Sequence, residues 1–233
     1  MIDFYYAPTP NGWKVAIMLE ECALPYETHL LRLGQGDQFA DDFLKISPNA
    51  KMPAIVDHEV DGDPISVFES GAILFYLAEK TGRFMPDDPI GRKETLEWLF
   101  WQVGNQGPMA GQLSHFVNYA PDGQDYAHQR YRNEYERNLA VLENRLTTRE
   151  YILGQYSVAD MIAFPWVFIA KPLGVSLDEF PRVADWRARI KVRPAVHAAI
   201  DLHKGGQNRG QENAQNNKLL FNQGAGHLKG KGL

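Results

Sequence analysis

Ser47-Pro48-Asn49-Ala50-Lys51-Met52-Pro53-Ala54-Ile55-Val56, followed shortly by Phe68-Glu69-Ser70-Gly71-Ala72-Ile73-Leu74, carries more structural information than any other part of the chain. A proline enters a short β-branched run, and a Glu-Ser pair separates a second apolar run from a helix start. Ala54-Ile55-Val56 and Ile65-Ser66-Val67-Phe68 flank the turn residues Asp61-Gly62-Asp63, which predicts a hairpin. Ser70 to Lys80 sets Ile73, Leu74, Leu77 and Ala78 at helical spacing. Upstream, Ile2-Asp3-Phe4-Tyr5-Tyr6 reads as a strand bounded by the turn cluster Ala7-Pro8-Thr9-Pro10-Asn11-Gly12. Val15, Met18, Leu19 and Cys22 then line one face of a helix that ends near Leu24-Pro25. Tyr26 to Leu31 reads as a second strand, and Phe39 to Ile46 as a short helix closed by Ser47-Pro48.

The resulting order, βαβ-α-ββα, is the thioredoxin arrangement and predicts an α/β domain over residues 1–82. Residues 83–90, with Pro86, Asp87, Asp88 and Pro89, read as a linker. An all-α domain is expected over 91–204. Glu94 to Phe116 is helical with a break at Gly107-Pro108, and Gln124 to Arg149 carries Tyr131, Tyr135, Leu139, Leu142 and Leu146 at helical spacing. Ser157-Val158-Ala159-Asp160 reads as a capping box in which Asp stands where Glu is usual. Arg182 to Ile190 and Ala195 to His203 are further helices. The last segment, 205–233, holds 7 Gly and 9 Asn/Gln in 29 residues, too little apolar surface to offset ordering entropy, so disorder is expected there except around Leu219-Leu220-Phe221.

At 233 residues and 44% hydrophobic composition the chain can bury a substantial core. A net charge of −5 gives no broad footprint for nucleic acid, though residues 1–82 hold 5 Lys/Arg against 13 Asp/Glu while 83–233 hold 19 against 16. No apolar stretch reaches membrane-spanning length and no leader pattern opens the chain, so neither nucleic acid nor membrane is an expected partner and a cytoplasmic location is the default. The one cysteine, Cys22, fits a reducing compartment. The seven histidines show no ligand spacing, so no metal is expected, and no glycine-rich nucleotide fingerprint follows a strand.

Met52-Pro53 at a strand entry suits pairing with a bound peptide backbone if the bond is cis; an ordinary trans proline is the alternative, and the sequence leaves the choice open. Glu69-Ser70 at a helix start suits an amino-acid terminus, since Ser and the first-turn N–H groups take a carboxylate and Glu takes an ammonium; simple N-capping by Ser70 is compatible with this. The turn at Thr9 and Asn11 meets a helix N-terminus, where a thiolate is stabilised, yet it contains no thiol. Cys22 sits turns away on the apolar face and reads as a core residue. These groups together suit a small thiol peptide such as glutathione.

Over residues 1 to about 204 the chain resembles cytosolic glutathione S-transferases. Ala7-Pro8-Thr9-Pro10-Asn11-Gly12, Phe68-Glu69-Ser70-Gly71-Ala72-Ile73-Leu74 and Trp98-Leu99-Phe100-Trp101-Gln102 with Gly107-Pro108-Met109 are similar to the bacterial Nu class and the fungal Ure2p-like proteins. The resemblance implies glutathione transferase architecture, an N-terminal thioredoxin-like domain binding glutathione followed by an all-α C-terminal domain, in a homodimer. It puts Thr9 and Asn11 at the glutathione sulfur, Gln38 and Lys51 near the glycyl carboxylate, the Met52 backbone on the cysteinyl unit, and Glu69 and Ser70 on the γ-glutamyl end. Arg130 matches an arginine that reaches glutathione from a partner subunit, although Arg130, Glu134 and Arg137 also read as a solvated helix face. The implied activity is glutathione-dependent reduction of small disulfides or conjugation to electrophiles; the alternative is a catalytically quiet regulatory or interaction protein with the same fold.

Overall fold

The computed structural model describes Met1–His203 together with Leu220, Gly224, Gly226 and Leu228. The expectation for 205–233, including Leu219 and Phe221, otherwise falls outside the described residues. The chain divides into two compact units, one formed by Met1–Ile73 with the described residues from Ala199 onward, the other by Leu74–Ala198.

The first unit runs β1 (Ile2–Tyr6), α1 (Pro10–Cys22), β2 (Tyr26–Leu30), two 3-10 turns (Leu33–Gln35 and Asp37–Phe39), α2 (Asp41–Ile46), β3 (Ala54–Asp57), β4 (Ile65–Phe68) and the start of α3 (Ser70–Thr81). The sheet order is β2-β1-β3-β4, with β1 and β2 parallel and the other neighbours antiparallel. Period-2 alternation on β1 sends Ile2, Phe4 and Tyr6 into one core, while Tyr5 faces the opposite way and meets Phe43 of α2 at 5.7 Å between ring centroids. Leu31, Phe43 and Ala54 form that second cluster, with Tyr5, Ile46 and Met52 against it. The register aligns Tyr5 with Ala54 and Ala54 with Phe68. The chain therefore leaves β1, enters β3 and leaves β4 at the same end of the sheet.

In the second unit, α4 (Pro89–Trp101) starts on Asp88, whose side chain accepts from the Ile90 and Gly91 N–H groups at 3.0 Å. The break expected at Gly107-Pro108 is absent. The chain stays helical through a π-helical turn, Gln102–Gln106, into α5 (Gly107–Asn118). Pro108 has no N–H to donate, and the wider turn accommodates it by sending the Gly107 N–H to the Gln102 carbonyl. Next come α6 (Asp125–Arg145), α7 (Val158–Phe168) and α8 (Pro181–Lys191). The last helix, α9 (Pro194–Asp201), carries the chain back into the first unit. Ser157 caps α7 and the Asp160 carboxylate reaches back to the Ser157 N–H at 3.0 Å, as the sequence predicts.

Candidate functional site

Because β1, β3 and β4 meet at one sheet end, three segments remote in sequence converge there: the Thr9 turn, the Met52-Pro53 step and the Glu69-Ser70 step. Two of them open helices, so the orphan N–H groups and positive dipole ends of α1 and α3 lie at this end of the unit. That arrangement favours anions.

Thr9 is the N-cap of α1, and its Oγ1 accepts from the Gly12 N–H at 3.4 Å. The same hydroxyl donates to the Met52 Sδ at 3.8 Å, a weak bond that already aims it at a sulfur. Asn11 is the second helical residue, and Pro10 at the first position needs no partner for an N–H it lacks. The Met52-Pro53 peptide is cis. Ser47 fixes the preceding loop by donating its hydroxyl to the Lys51 carbonyl at 2.8 Å. Among the described residues the Met52 backbone N–H and C=O have no protein hydrogen-bond partner.

Glu69 holds a φ of 68°, in the left-handed region that a side chain rarely adopts. Its Oε1 accepts from the Asn49 Nδ2 at 3.2 Å. Ser70 is buried, and its Oγ accepts from the Lys14 Nζ at 3.3 Å. Lys14 is itself only 2% exposed, and burial pushes its ammonium down to about 7, with Glu69 opposing the shift.

The structure thus joins Thr9 to Met52, Lys14 to Ser70 and Asn49 to Glu69. Gln38 lies in the 3-10 turn Asp37–Phe39, buried, with its Oε1 lacking a partner among the described residues. Lys51 is exposed, and local desolvation lowers its ammonium from the usual range. Arg130 belongs to the other unit, on α6, exposed and paired with Glu134 at 2.6 Å. Sequence reasoning missed Lys14 and Asn49. Lys14 did leave a signal: no acidic residue stands within four positions of it on its helix, so any charged partner had to come from elsewhere.

The Cys22 thiol is buried at the far end of α1 with its Sγ 3.9 Å from the Met18 Sδ. Tyr6, which ends β1, is fully buried, and its hydroxyl donates to the Leu202 carbonyl at 3.1 Å. Burial pushes the Tyr6 phenol up to about 12. Neither group is placed to act as an anion at the sheet end. Among the described residues no group of His, Cys, Asp or Glu is placed to hold a metal ion, and no helix is long and apolar enough to cross a membrane.

Residues 9–80 match the family model for the glutathione S-transferase N-terminal domain, and residues 125–189 match that for the C-terminal domain. The chain is 49% identical over 203 residues to the disulfide-bond oxidoreductase YfcG of Escherichia coli, covering 86% of this chain and 94% of that protein. A crystal structure of a glutathione transferase from Burkholderia graminis with two glutathione molecules bound per subunit matches at 46% identity and a TM-score of 0.83, over 87% of this chain and 88% of that one. One from Pseudomonas putida with one glutathione disulfide bound per subunit matches at 40% identity and a TM-score of 0.81, over 86% and 91%.

Proposed function

We infer, for a chain that belongs to the glutathione S-transferase family, a glutathione-dependent enzyme that reduces small disulfides and conjugates electrophiles through the bound thiolate. One observation carries this reading: the anion-favouring end of the sheet offers the Thr9 hydroxyl beside the Met52 thioether, a Met52 backbone without a protein partner among the described residues and a Glu-Ser pair, while the protein's own thiol is buried elsewhere. The reacting sulfur is therefore the ligand's. In the proposed site Glu69 and Ser70 hold the γ-glutamyl end, Met52 pairs with the cysteinyl backbone, Gln38 and Lys51 serve the glycyl carboxylate, and Thr9 and Asn11 donate to the thiolate. Residues 1–82 form the glutathione-binding domain and 91–204 an all-α domain.

Lowering the thiol pKa by one unit corresponds to about 1.4 kcal/mol of preferential thiolate stabilisation. A helix N-terminus with one hydroxyl or amide donor supplies roughly one to two such units. In reduction, the thiolate attacks one sulfur of the substrate disulfide, forming a mixed disulfide and expelling the other half as a thiolate that takes up a proton. A second glutathione thiolate then attacks the mixed disulfide, releasing the second substrate thiol and glutathione disulfide. Bound glutathione pairs and bound glutathione disulfide in the Burkholderia and Pseudomonas proteins match the two ends of this sequence. A cytoplasmic, reducing location belongs to the same proposal.

The test is a disulfide-reductase assay run beside a conjugation assay and glutathione calorimetry. Cys22→Ala should keep most of its turnover with a modest stability loss. Thr9→Val and Asn11→Ala should lower turnover with the fold intact. Ser70→Ala and Glu69→Ala should each weaken glutathione by about 1–3 kcal/mol, the cost of an unpaired charged hydrogen-bond partner. Loss of activity in a folded Cys22→Ala protein that still binds glutathione would overturn the ligand-thiol mechanism. Unchanged affinity in both γ-glutamyl variants would remove that part of the site.

The proposal includes a C2 homodimer in which Arg130 reaches the partner's glutathione, supported by an unpartnered stripe on α4. Ile90 is 71% exposed and Phe100 69%, with Leu96 between them, and Lys93 and Glu97, ion-paired to each other at 3.1 Å, lie on the same face. Antiparallel apposition of two copies sets each Lys93 toward a Glu97 of the other, the self-complementarity an isologous contact needs. Sedimentation should give a dimer at micromolar concentration and a monomer for Phe100→Asp. A fully active monomeric parent protein would exclude both the dimer and the cross-subunit role.

A further inference from the structure

Lys14 is a buried cation inside the site that the mechanism above does not use. It lies on the same face of α1 as Asn11, three residues earlier. Its Nζ leaves that helix to donate into the Ser70 Oγ at 3.3 Å, and only 2% of the residue is exposed. A serine hydroxyl has one proton and two lone pairs. With an amine hydrogen directed into one lone pair, the hydroxyl proton points away from Lys14, and the group it meets on the open side has to be an acceptor. The charge that reaches Lys14 is that of Glu69, just ahead of α3, whose carboxylate is also held by Asn49.

We propose that Lys14 is a positioning residue for glutathione's γ-glutamyl α-carboxylate, polarising Ser70 into an obligatory donor and setting a buried positive charge behind it. This rests on the assignment of Glu69 and Ser70 to the γ-glutamyl end. Lys14 also fixes the distance between the two helix starts, since α1 carries the thiolate donors and α3 the carboxylate site. Burial lowers the ammonium to about 7, so near neutral pH the free protein holds Lys14 partly as the amine. The ligand's own ammonium offsets Glu69, but its carboxylate settles on the hydroxyl that Lys14 touches at 3.3 Å and favours the ammonium form of Lys14. Glutathione binding therefore takes up a proton.

The experiment compares glutathione with its analogue lacking the γ-glutamyl α-carboxylate, by calorimetry on the parent protein, Lys14→Met and Ser70→Ala. Lys14→Met should weaken glutathione by about tenfold or more and the decarboxylated analogue by less than about twofold, the scatter of uncoupled sites. At about pH 8, with S-methylglutathione so that no thiol ionises, the parent's binding heat should vary with buffer ionisation enthalpy, reporting proton uptake, and that of Lys14→Met should not. If Ser70→Ala loses glutathione while Lys14→Met keeps it, or weakens both ligands equally, Lys14 is only structural and the γ-glutamyl assignment stands. If Ser70→Ala binds both ligands as the parent does, the γ-glutamyl assignment itself fails. Should Lys14→Met not fold, the parent alone decides: S-methylglutathione binding at about pH 8 without proton uptake overturns the proposal.

Discussion

Asp160→Ala is expected to cost about 4 kcal/mol of stability, the largest single loss in this protein. The carboxylate is fully buried and accepts from four donors: the Ile152 N–H at 2.9 Å, the Ser157 N–H at 3.0 Å, the Ser157 hydroxyl at 3.1 Å and the Trp186 indole N–H at 2.8 Å. Alanine leaves the two backbone groups and the indole with nothing to bond in a space closed to water. Each such orphan costs about 1–3 kcal/mol, against a whole-domain stability of about 5–15 kcal/mol. The pH dependence has a definite sign. Desolvation outweighs these hydrogen bonds and raises the carboxyl from 3.8 to about 6, so the folded state binds a proton that the unfolded state has released. Its contribution is therefore fully present below pH 3.8 and is lost as pH rises through about 6. Urea unfolding should show the loss in Asp160→Ala, and Asp160→Asn should flatten the slope between those two pH values. An alanine variant within about 1 kcal/mol of the parent would mean that the surroundings rearrange to satisfy the donors.

Gly12→Ala is the second large effect, and it should appear in catalysis as well as in stability. A Cβ at Gly12 would lie 2.3 Å from the Ala7 carbonyl oxygen and 2.8 Å from two Tyr6 ring carbons. The first is backbone and the second a ring held by its hydroxyl on Leu202, so neither can swing aside. The start of α1 must move instead, taking Thr9 and Asn11 with it. Overpacking of this kind costs about 3 kcal/mol, and with Thr9 and Asn11 as the proposed thiolate donors, a displacement near 1 Å lowers turnover by about a hundredfold. Gly104→Ala is the control, because a Cβ there meets nothing within 4 Å. Reductase turnover and melting temperature should fall together in Gly12→Ala and stay unchanged in Gly104→Ala. A Gly12→Ala enzyme with parental turnover would show that the α1 start is not what stabilises the thiolate.

Much of the first unit was legible in the sequence because its signals are local. The Asp61-Gly62-Asp63 hairpin, the Ser70 helix start and the apolar stripe through Cys22 each depend on residues a few positions apart, and each stands where the pattern put it. What the pattern missed depends on contacts remote in sequence. Lys14 reads as a polar position beside the stripe, yet Gly12 through Leu19 are all buried, so the helix has no solvated side there. Asp160 reads as a capping residue, which it is, but its partner Trp186 lies on α8. Gly107-Pro108 reads as a stop because proline breaks a helix, whereas one wider turn removes the conflict. The approach of Thr9 to Met52 follows from strand register, which no local spacing encodes.

The first unit is assembled from both ends of the described chain, with Leu74–Ala198 inserted between its parts. This has a consequence in time. On the ribosome the sheet and α1 emerge first, but the carbonyl of Leu202 that receives the Tyr6 hydroxyl is not yet made. At about 5–20 residues per second, the intervening 125 residues take roughly 6–25 s to synthesise. For that interval the nascent unit lacks the segment that closes over the end of β1, and a buried phenol has to stay hydrated or borrow another partner. Final consolidation of the first unit is thus delayed until the inserted Leu74–Ala198 unit has been translated.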